Sequence, residues 1–368
     1  VGKCEIVPGG TSDMSGFAKS LQAYEAWLDR QLGRQVVKAD IGRKHAKMGA
    51  SPFVFLRGTY WRWAETILEV CPDLAGAADV LAVGDIHLEN FGTWRDGDGR
   101  LVWGVNDFDE AARMPYALDL VRLAASGVLA SQNGSISAAT ICRAVLEGYR
   151  LGLGAPQAIV LDRDWAWLRE LLVVSDRQRE RFWSKIEATR RAPAPPRYRR
   201  ALAAAMPERG LKMWTARRVA GTGSLGRPRW IGVADWQGAP VVREAKAALP
   251  SGWELARGRS GRVIRCAELA GGRYRARDPW YRVEEGMILR RLSPNNRKVE
   301  AEKEGVSLLT HDMLHAMGLE LANVHLGAGD RRDAILRDLA SRKAGWLLAD
   351  AKRAAAAVAA EFEAWKAR

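Results

Sequence analysis

The sequence predicts an α+β protein of two lobes, one larger and mainly helical, the other small and β-rich. Three observations predict it. Apolar residues recur at helical spacing over residues 12–71, and the chain from about residue 300 reads as helix again. β-type runs are confined to 79–107 and to 216–246, with a further run at 281–292. Between the two regions lies RRAPAPPRYRR (190–200), a Pro- and Arg-rich stretch that reads as a linker. The expected division is therefore 1–195 for a helical lobe carrying an inserted hairpin, 210–295 for the small lobe, and 296–368 for helices that return to the large one.

Taken in order, Phe17, Leu21, Tyr24, Leu28 and Leu32 put one apolar face on a helix over 12–33. A second helix covers about 59–71. DVLAVGD (79–85) and RLVWGVND (100–107) are short β-type runs, and the intervening GTWRDGDG carries Asp-Gly turn signals. The expectation is a hairpin across 79–107. From Pro115 to about residue 190 the pattern is helical, with rising charge. Beyond the linker, ARRVAG (216–221), RWIGVADW (229–236) and APVVREAK (239–246) read as three strands separated by Gly-rich turns. A helix around 253–270, a strand near 281–292 and the closing helices complete the chain.

Composition narrows the function classes. Hydrophobic residues at 48% and charged residues at 27% exclude wholesale disorder. No apolar run approaches the roughly 18 residues of a membrane span. Cys4, Cys71, Cys142 and Cys266 lie far apart with no CxxC, so neither a disulfide framework nor a zinc site is indicated. The expectation is a soluble, cytoplasmic protein with no membrane span. The net charge of +14 is compatible with nucleic acid, an anionic membrane surface or a phosphorylated ligand. It is equally what an Arg- and Ala-rich proteome produces, which is the reading we prefer.

The chemistry concentrates in two acidic motifs. GDIHLENFG (84–92) holds Asp85 and, five residues on, Asn90; VNDFDE (105–110) holds Asp107 and Asp109. Phosphoryl transfer needs a carboxylate to take or orient the nucleophile's proton, and oxygen ligands for Mg²⁺ bridging the nucleotide phosphates. Kinase catalytic loops use the same Asp-to-Asn spacing, followed by a metal-binding Asp before Phe. Asp85 is thus the expected base, Asn90 and Asp107 the metal ligands, and Asp109 an auxiliary acid in the metal set. Asp119, opening the next helix, is placed to brace the loop. Two solvated acidic turns are the bland alternative, but both motifs directly follow apolar strands. His87 reads better as a histidine hydrogen-bonded to nearby backbone than as a metal ligand or loop organiser. His311 and His315 are four apart on a helix, with no third ligand evident.

GTGSLG (221–226) places Gly221, Gly223 and Gly226 in G-x-G-x-x-G spacing, with Ser224 between. Alone the pattern is weak. The chain continues into strands rather than a helix, so the loop sits in a hairpin, as kinase glycine loops over phosphates do. Lys246 ends the third strand, where a kinase places the lysine contacting the α/β-phosphates. Glu254 and Glu268 are both available as its carboxylate partner. In an ordinary kinase, however, the glycine loop and lysine precede the catalytic Asp, and here they follow it by about 140 residues. The full expectation is a circularly permuted protein-kinase-like fold, since permutation leaves packed contacts unchanged.

These segments resemble the bacterial domain-of-unknown-function family 2252. The similarity is carried by SPFVFLRGT (51–59), GDIHLENFG, VNDFDEA (105–111), LDLVRLAAS (118–126), RRVAGTGSLG (217–226) and the Lys246 strand. It spans about residues 45–250, with fainter similarity at 281–292 and 319–330. The catalytic half also resembles aminoglycoside-phosphotransferase-type kinases in its Gly-Asp-x-His-x-x-Asn and Asp-Phe-Asp motifs. The resemblance implies a kinase-like fold and nucleotide binding, and supplies no substrate. The sequence departs from the family in REAK, in place of Gln-x-Lys-Glu surroundings, and in lacking a Gln-rich pattern at 261–269. Arg57, in the first segment, either reaches the phosphates or substrate or caps a helix.

The leading expectation is therefore an ATP- and Mg²⁺-dependent phosphotransferase acting on an unidentified small-molecule or protein acceptor, with nucleotidyl transfer a variant of it. One alternative is a metal-dependent phosphoesterase using Asp85, His87 and Asp107. The other is a non-catalytic binding module for nucleotide or nucleic acid, supported only by the basic stretch Arg190, Arg191, Arg197, Arg199 and Arg200.

Overall fold

The computed structural model describes residues 14–131, 135–259, 263–296, 298 and 308–367. Residues 1–13, with Cys4 and the start of the first expected helix, lie outside them, as do 299–307 at the head of the closing helical region. Four helices open the described chain: α1 (Met14–Leu32), α2 (Lys38–Met48), α3 (Pro52–Gly58) and α4 (Tyr60–Val70). The face predicted for α1 is the buried one, from Phe17 to Leu32. Ser51 starts α3 by accepting the Val54 N–H, with Pro52 at the first helical position, where its missing N–H costs nothing.

Four strands follow: β1 (Asp79–Ala82), β2 (Phe91–Arg95), β3 (Leu101–Val105) and β4 (Ala112–Pro115). Their pairing corrects the expected hairpin. β2 pairs with β3, whereas β1 pairs antiparallel with β4. The Asp-Gly turn does close a hairpin, with the Asp96 carboxylate accepting the N–H groups of Asp98 and Arg100 and Gly99 at φ +79°. Such a short turn joins only the strands touching it, and the strand touching it on the N-terminal side is FGTWR.

The helical stretch after Pro115 resolves into α5 (Tyr116–Ala130), α6 (Ala138–Gly154), a short strand β5 (Ile159–Val160) beside β3, α7 (Ala166–Leu172) and α8 (Asp176–Glu187). The expected linker is half helix: α9 runs from Pro196 to Ala204, begun by consecutive prolines. Next come β6 (Met213–Arg217), β7 (Arg229–Trp236) and β8 (Ala239–Ala247). The single helix expected over 253–270 is two short ones, α10 (Gly252–Ala256) and α11 (Cys266–Ala270), the first ending near Gly258 at φ +63°. Residues 260–262 of that stretch lie outside the described residues. The strand expected near 281–292 is a hairpin, β9 (Arg282–Glu284) and β10 (Met287–Leu292).

β6 to β10 form one antiparallel five-stranded sheet in the order β6-β7-β8-β10-β9. Both faces are covered by helices. Tyr198, Ala201 and Leu202 of α9 pack on Ala245, Met287 and Leu289. Ile186 of α8, with Phe182 and Trp183, packs on Ile231, Val233 and Val242 of the other face. The division at residue 195 thus separates α8 from the sheet it covers.

The chain closes with α12 (His311–Gly327), α13 (Arg332–Ser341) and α14 (Trp346–Lys366). α14 packs on α5 and touches α1, α3 and α4, while α12 lies against α6. Glycines let α6 and α12 meet backbone to backbone: a Cβ on Gly148 would stand 1.9 Å from the His315 carbonyl oxygen. From α12, Glu320 reaches the hairpin, accepting the Val105 N–H at 3.2 Å and pairing with Arg275. It passes so close to Gly104 that a Cβ there would fall 2.3 Å from its Oε1. The helices and antiparallel sheets together make an α+β architecture. Among the described residues no helix is long and apolar enough to cross a membrane.

Candidate active site beside a basic cavity

Asp85 is positioned by a braced turn. Immediately after β1, the N–H groups of Val83 and Gly84 donate to the Asp119 carboxylate at 2.7 and 3.0 Å, and His325 approaches the same carboxylate at 3.1 Å. Gly84 has φ +81°, and a Cβ there would lie 2.4 Å from the Glu110 carbonyl oxygen, so a glycine is needed. The Asp85 carboxylate then meets Arg122 at 2.5 Å. Arg122 is wholly buried between the rings of Tyr60 and Trp63 and also donates to the Leu56 carbonyl. Burial pushes the Asp85 carboxyl up to about 6, with the Arg122 charge opposing the rise.

His87 is hydrogen-bonded to nearby backbone, as expected. Its Nδ1 accepts the Glu89 N–H, and its ring stands edge-on to Phe53. Burial and then the charge of Arg57 hold its pKa well below the ordinary histidine value, so it is neutral. Asn90 ties the two acidic motifs together, donating to the carbonyls of Asp85 (2.9 Å) and Asp107 (3.4 Å). Its Oδ1 and Asp107 Oδ2 converge on the Lys298 ammonium at 3.3 and 2.9 Å. Although burial opposes ionisation, Lys246, Lys298 and Arg290 together hold the Asp107 carboxyl well below the usual carboxylate range.

Lys246 comes down from β8 into the same cluster. Its ammonium lies 2.5 Å from both oxygens of Asp109 and 3.7 Å from Asp107. The expected partners are corrected. Glu254 pairs with Arg259 and Glu268 with Arg265, because the two short helices that replace the single expected one turn these carboxylates elsewhere. Asp109, expected among the metal ligands, spends its carboxylate on Lys246. Glu110, for which the sequence suggested no role, accepts the Gly252 N–H at the start of α10 and pairs with Arg227.

The glycine loop joins β6 to β7 and overhangs these carboxylates. A Cβ on Gly223 would stand 3.0 Å from the Arg57 carbonyl oxygen and 3.3 Å from Asp85 Oδ2. Lys44 donates to the Gly223 carbonyl, and Ser224 accepts from Arg229. Gly221, Gly223 and Ser224 line a small pocket, together with Asp85, His87, Asn90, Asp107 and Asp109. Gly226 does not line it; it packs on Ile41 of α2 at φ +96°. Arg57 pairs with Glu89 at 2.5 Å and lies over Phe53.

This pocket adjoins a larger cavity of about 440 Å³, the two sharing Arg57, Asp107, Gly221 and Lys298 in their walls. Ligand sites span roughly 300–1,000 Å³. The cavity's roof is the charged end of the β8 face: Glu244, two residues before Lys246, is completely buried and meets Arg218, Arg229 and Arg290. Burial alone would raise the Glu244 carboxyl, but the three guanidinium groups hold it well below its ordinary value. Strand alternation could have put Glu244 beside Lys246 on one face. Nothing local in the sequence signals Lys298 or Arg122. Among the described residues, no three His, Cys, Asp or Glu side chains are grouped to hold a metal ion.

The fold and site define an α+β protein with a carboxylate–lysine cluster beneath a glycine loop. Residues 34–208 match the family model described as an uncharacterized protein conserved in bacteria (DUF2252), so over that segment the chain is similar to that bacterial family. No curated protein and no solved structure matches it.

Proposed function

We propose that this site carries out ATP- and Mg²⁺-dependent phosphoryl transfer, in a kinase-like arrangement whose two lobes occur in permuted order. The observation that carries the reading is the 3.7 Å approach of Lys246 to Asp107, under a glycine loop that opens the same three-strand meander. A kinase small lobe supplies its lysine and phosphate cover in that way. The small lobe is the five-stranded sheet with its covering helices, and the large lobe is the remainder with the returning α12 and α14.

Each residue then has a task. Lys246 and the backbone N–H groups of Gly221 to Ser224 hold the phosphates. Asn90 Oδ1 and Asp107 Oδ2, which converge on an ammonium ion, are an oxygen pair suited to Mg²⁺, a hard cation that takes few protein ligands and fills its shell with phosphate oxygens. When bound there, Mg²⁺ supplies charge neutralisation to the phosphates. Asp85 accepts the proton of the acceptor hydroxyl: a carboxyl near 6 is ionised at neutral pH yet basic enough to hold a proton. Arg122 keeps that carboxylate aimed. Nucleotidyl transfer would use the same groups. The phosphoesterase alternative loses support because Asp85, His87 and Asp107, although they line one pocket, are not grouped to hold a metal ion among the described residues.

The test is thermal unfolding with and without MgATP. A nucleotide at ten times its Kd adds about 1.4 kcal/mol of stability. The wild type is expected to be stabilised and Asp107→Ala to show no such gain while unfolding cooperatively. No stabilisation of the wild type at millimolar MgATP would refute the nucleotide site.

A further inference from the structure

The cavity wall holds more positive charge than the reading above uses. Its carboxylates are Asp107 and Asp278, against cations on the sheet, on α8 and on the segments flanking β9 and β10. Most of these cations are committed. Three guanidinium groups share Glu244, and Lys298, Arg275, Arg291 and Arg57 are each ion-paired. Arg181, Lys185 and Arg277 differ: among the described residues none has an ion-pair or hydrogen-bond partner for its charged group, and all three are exposed while lining this one cavity. Arg181 and Lys185 are four apart on α8 and so share a helix face, while Arg277 comes from the segment after α11.

Two residues of the wall, Arg275 and Arg291, also have buried Nε–H donors without a partner among the described residues. Meanwhile α8 already covers the apolar end of the sheet face, so what the cavity meets of that face is its charged end. A wall of this kind receives an anionic group. Guanidinium forks and an ammonium ion match phosphate oxygens in geometry and charge.

We infer that the cavity contains a phosphate-binding site of its own, built from Arg181, Lys185 and Arg277, and that the acceptor is a phosphate-bearing small molecule held there. The assignment of an acceptor rests on the phosphotransferase reading; the phosphate site does not. MgATP engages Asp107 and Lys246, whereas the acceptor's phosphate engages cations that no carboxylate among the described residues neutralises. The three side chains are exposed, so their replacement leaves the folded core untouched.

Isothermal titration of the full chain with metal-free inorganic pyrophosphate, and separately with MgATP, tests this. Charge-assisted hydrogen bonds are worth enough that Arg181→Gln/Lys185→Gln/Arg277→Gln is expected to weaken pyrophosphate at least about tenfold. The same variant should leave MgATP affinity within about twofold. Asp107→Ala is expected to do the reverse, losing MgATP and keeping pyrophosphate. Unchanged pyrophosphate binding in the triple variant overturns the site. Equal loss of MgATP and pyrophosphate in that variant also overturns it, by making these cations part of the nucleotide site. If the wild type binds pyrophosphate in this pattern but not MgATP, the phosphate site stands and the nucleotide reading falls.

Discussion

Replacing Asp85 by Asn removes one titration while keeping the side chain's shape, and the consequence for stability follows from where that carboxyl titrates. In the folded chain it does so at about 6, against 3.8 for the free group. Between those values the folded chain holds a proton that the unfolded chain has released. Stability is therefore fully present below the unfolded value and is lost as pH rises through the folded one. At about 1.4 kcal/mol per unit the whole window amounts to about 3 kcal/mol, of which about 2 kcal/mol falls between pH 4.5 and 7.5. The Asn variant has no such loss. Urea unfolding of both proteins at several pH values in that range, followed by tryptophan fluorescence, should show the variant gaining about 2 kcal/mol on the wild type as pH rises. Its absolute stability also reflects an Arg122 left without its anion, so the pH-dependent difference is the quantity that decides. A difference constant to within about 0.5 kcal/mol would refute the raised carboxyl and, with it, the basis for Asp85 as a proton acceptor.

Glu244→Gln leaves the buried Arg229 and the half-buried Arg218 and Arg290 without their wholly buried carboxylate and should cost about 3 kcal/mol in urea unfolding at neutral pH. Because the Glu244 carboxyl is held low, its contribution is full above about 4.5 and fades as pH falls further, so the gap to the wild type should narrow in acid; a neutral-pH gap under about 1 kcal/mol counts against the cluster. Lys246→Met keeps the length of the side chain and removes the ammonium from Asp109, so MgATP affinity should fall at least about tenfold. Wild-type affinity in calorimetry would take Lys246 out of the nucleotide site. Gly148→Ala forces α6 and α12 apart at a backbone contact, and a loss of about 3 kcal/mol is expected, read as a lowered Tm; an unchanged Tm would contradict that packing.

Local pattern made much of the fold legible and left its long-range pairings hidden. The apolar face of α1, the strands β7 and β8 and the closing helices follow from periodicity alone. The partner of β1 does not, because β4 is a four-residue strand whose only distinguishing feature is its place opposite Asp79 to Ala82. α8 reads equally well as part of either lobe, since Phe182, Trp183 and Ile186 announce an apolar face without saying what it meets. At the site, spacing brings out Asp85, Asn90, Asp107 and Lys246; the first three line one pocket, and Lys246 reaches Asp107 and Asp109 of its wall. The carboxylate facing Lys246 was sought in the next helix and lies 137 residues away in Asp109. The Lys246–Asp109 pair is made in space, and nothing beside Lys246 along the chain points to its partner.

The contact of Glu320 with the hairpin has a consequence for how the protein is made. Val105 and Glu320 are 215 residues apart in the chain. At about 5–20 residues per second a ribosome needs roughly 10–40 s to go from one to the other. Throughout that interval the hairpin carrying Asp107 at its end has left the ribosome without the carboxylate that caps Val105 or the helix that packs against α6. Non-local closure of this kind slows folding and leaves early segments exposed. A nascent chain stopped before α12 should therefore be a client for chaperones, and one released after α14 should not.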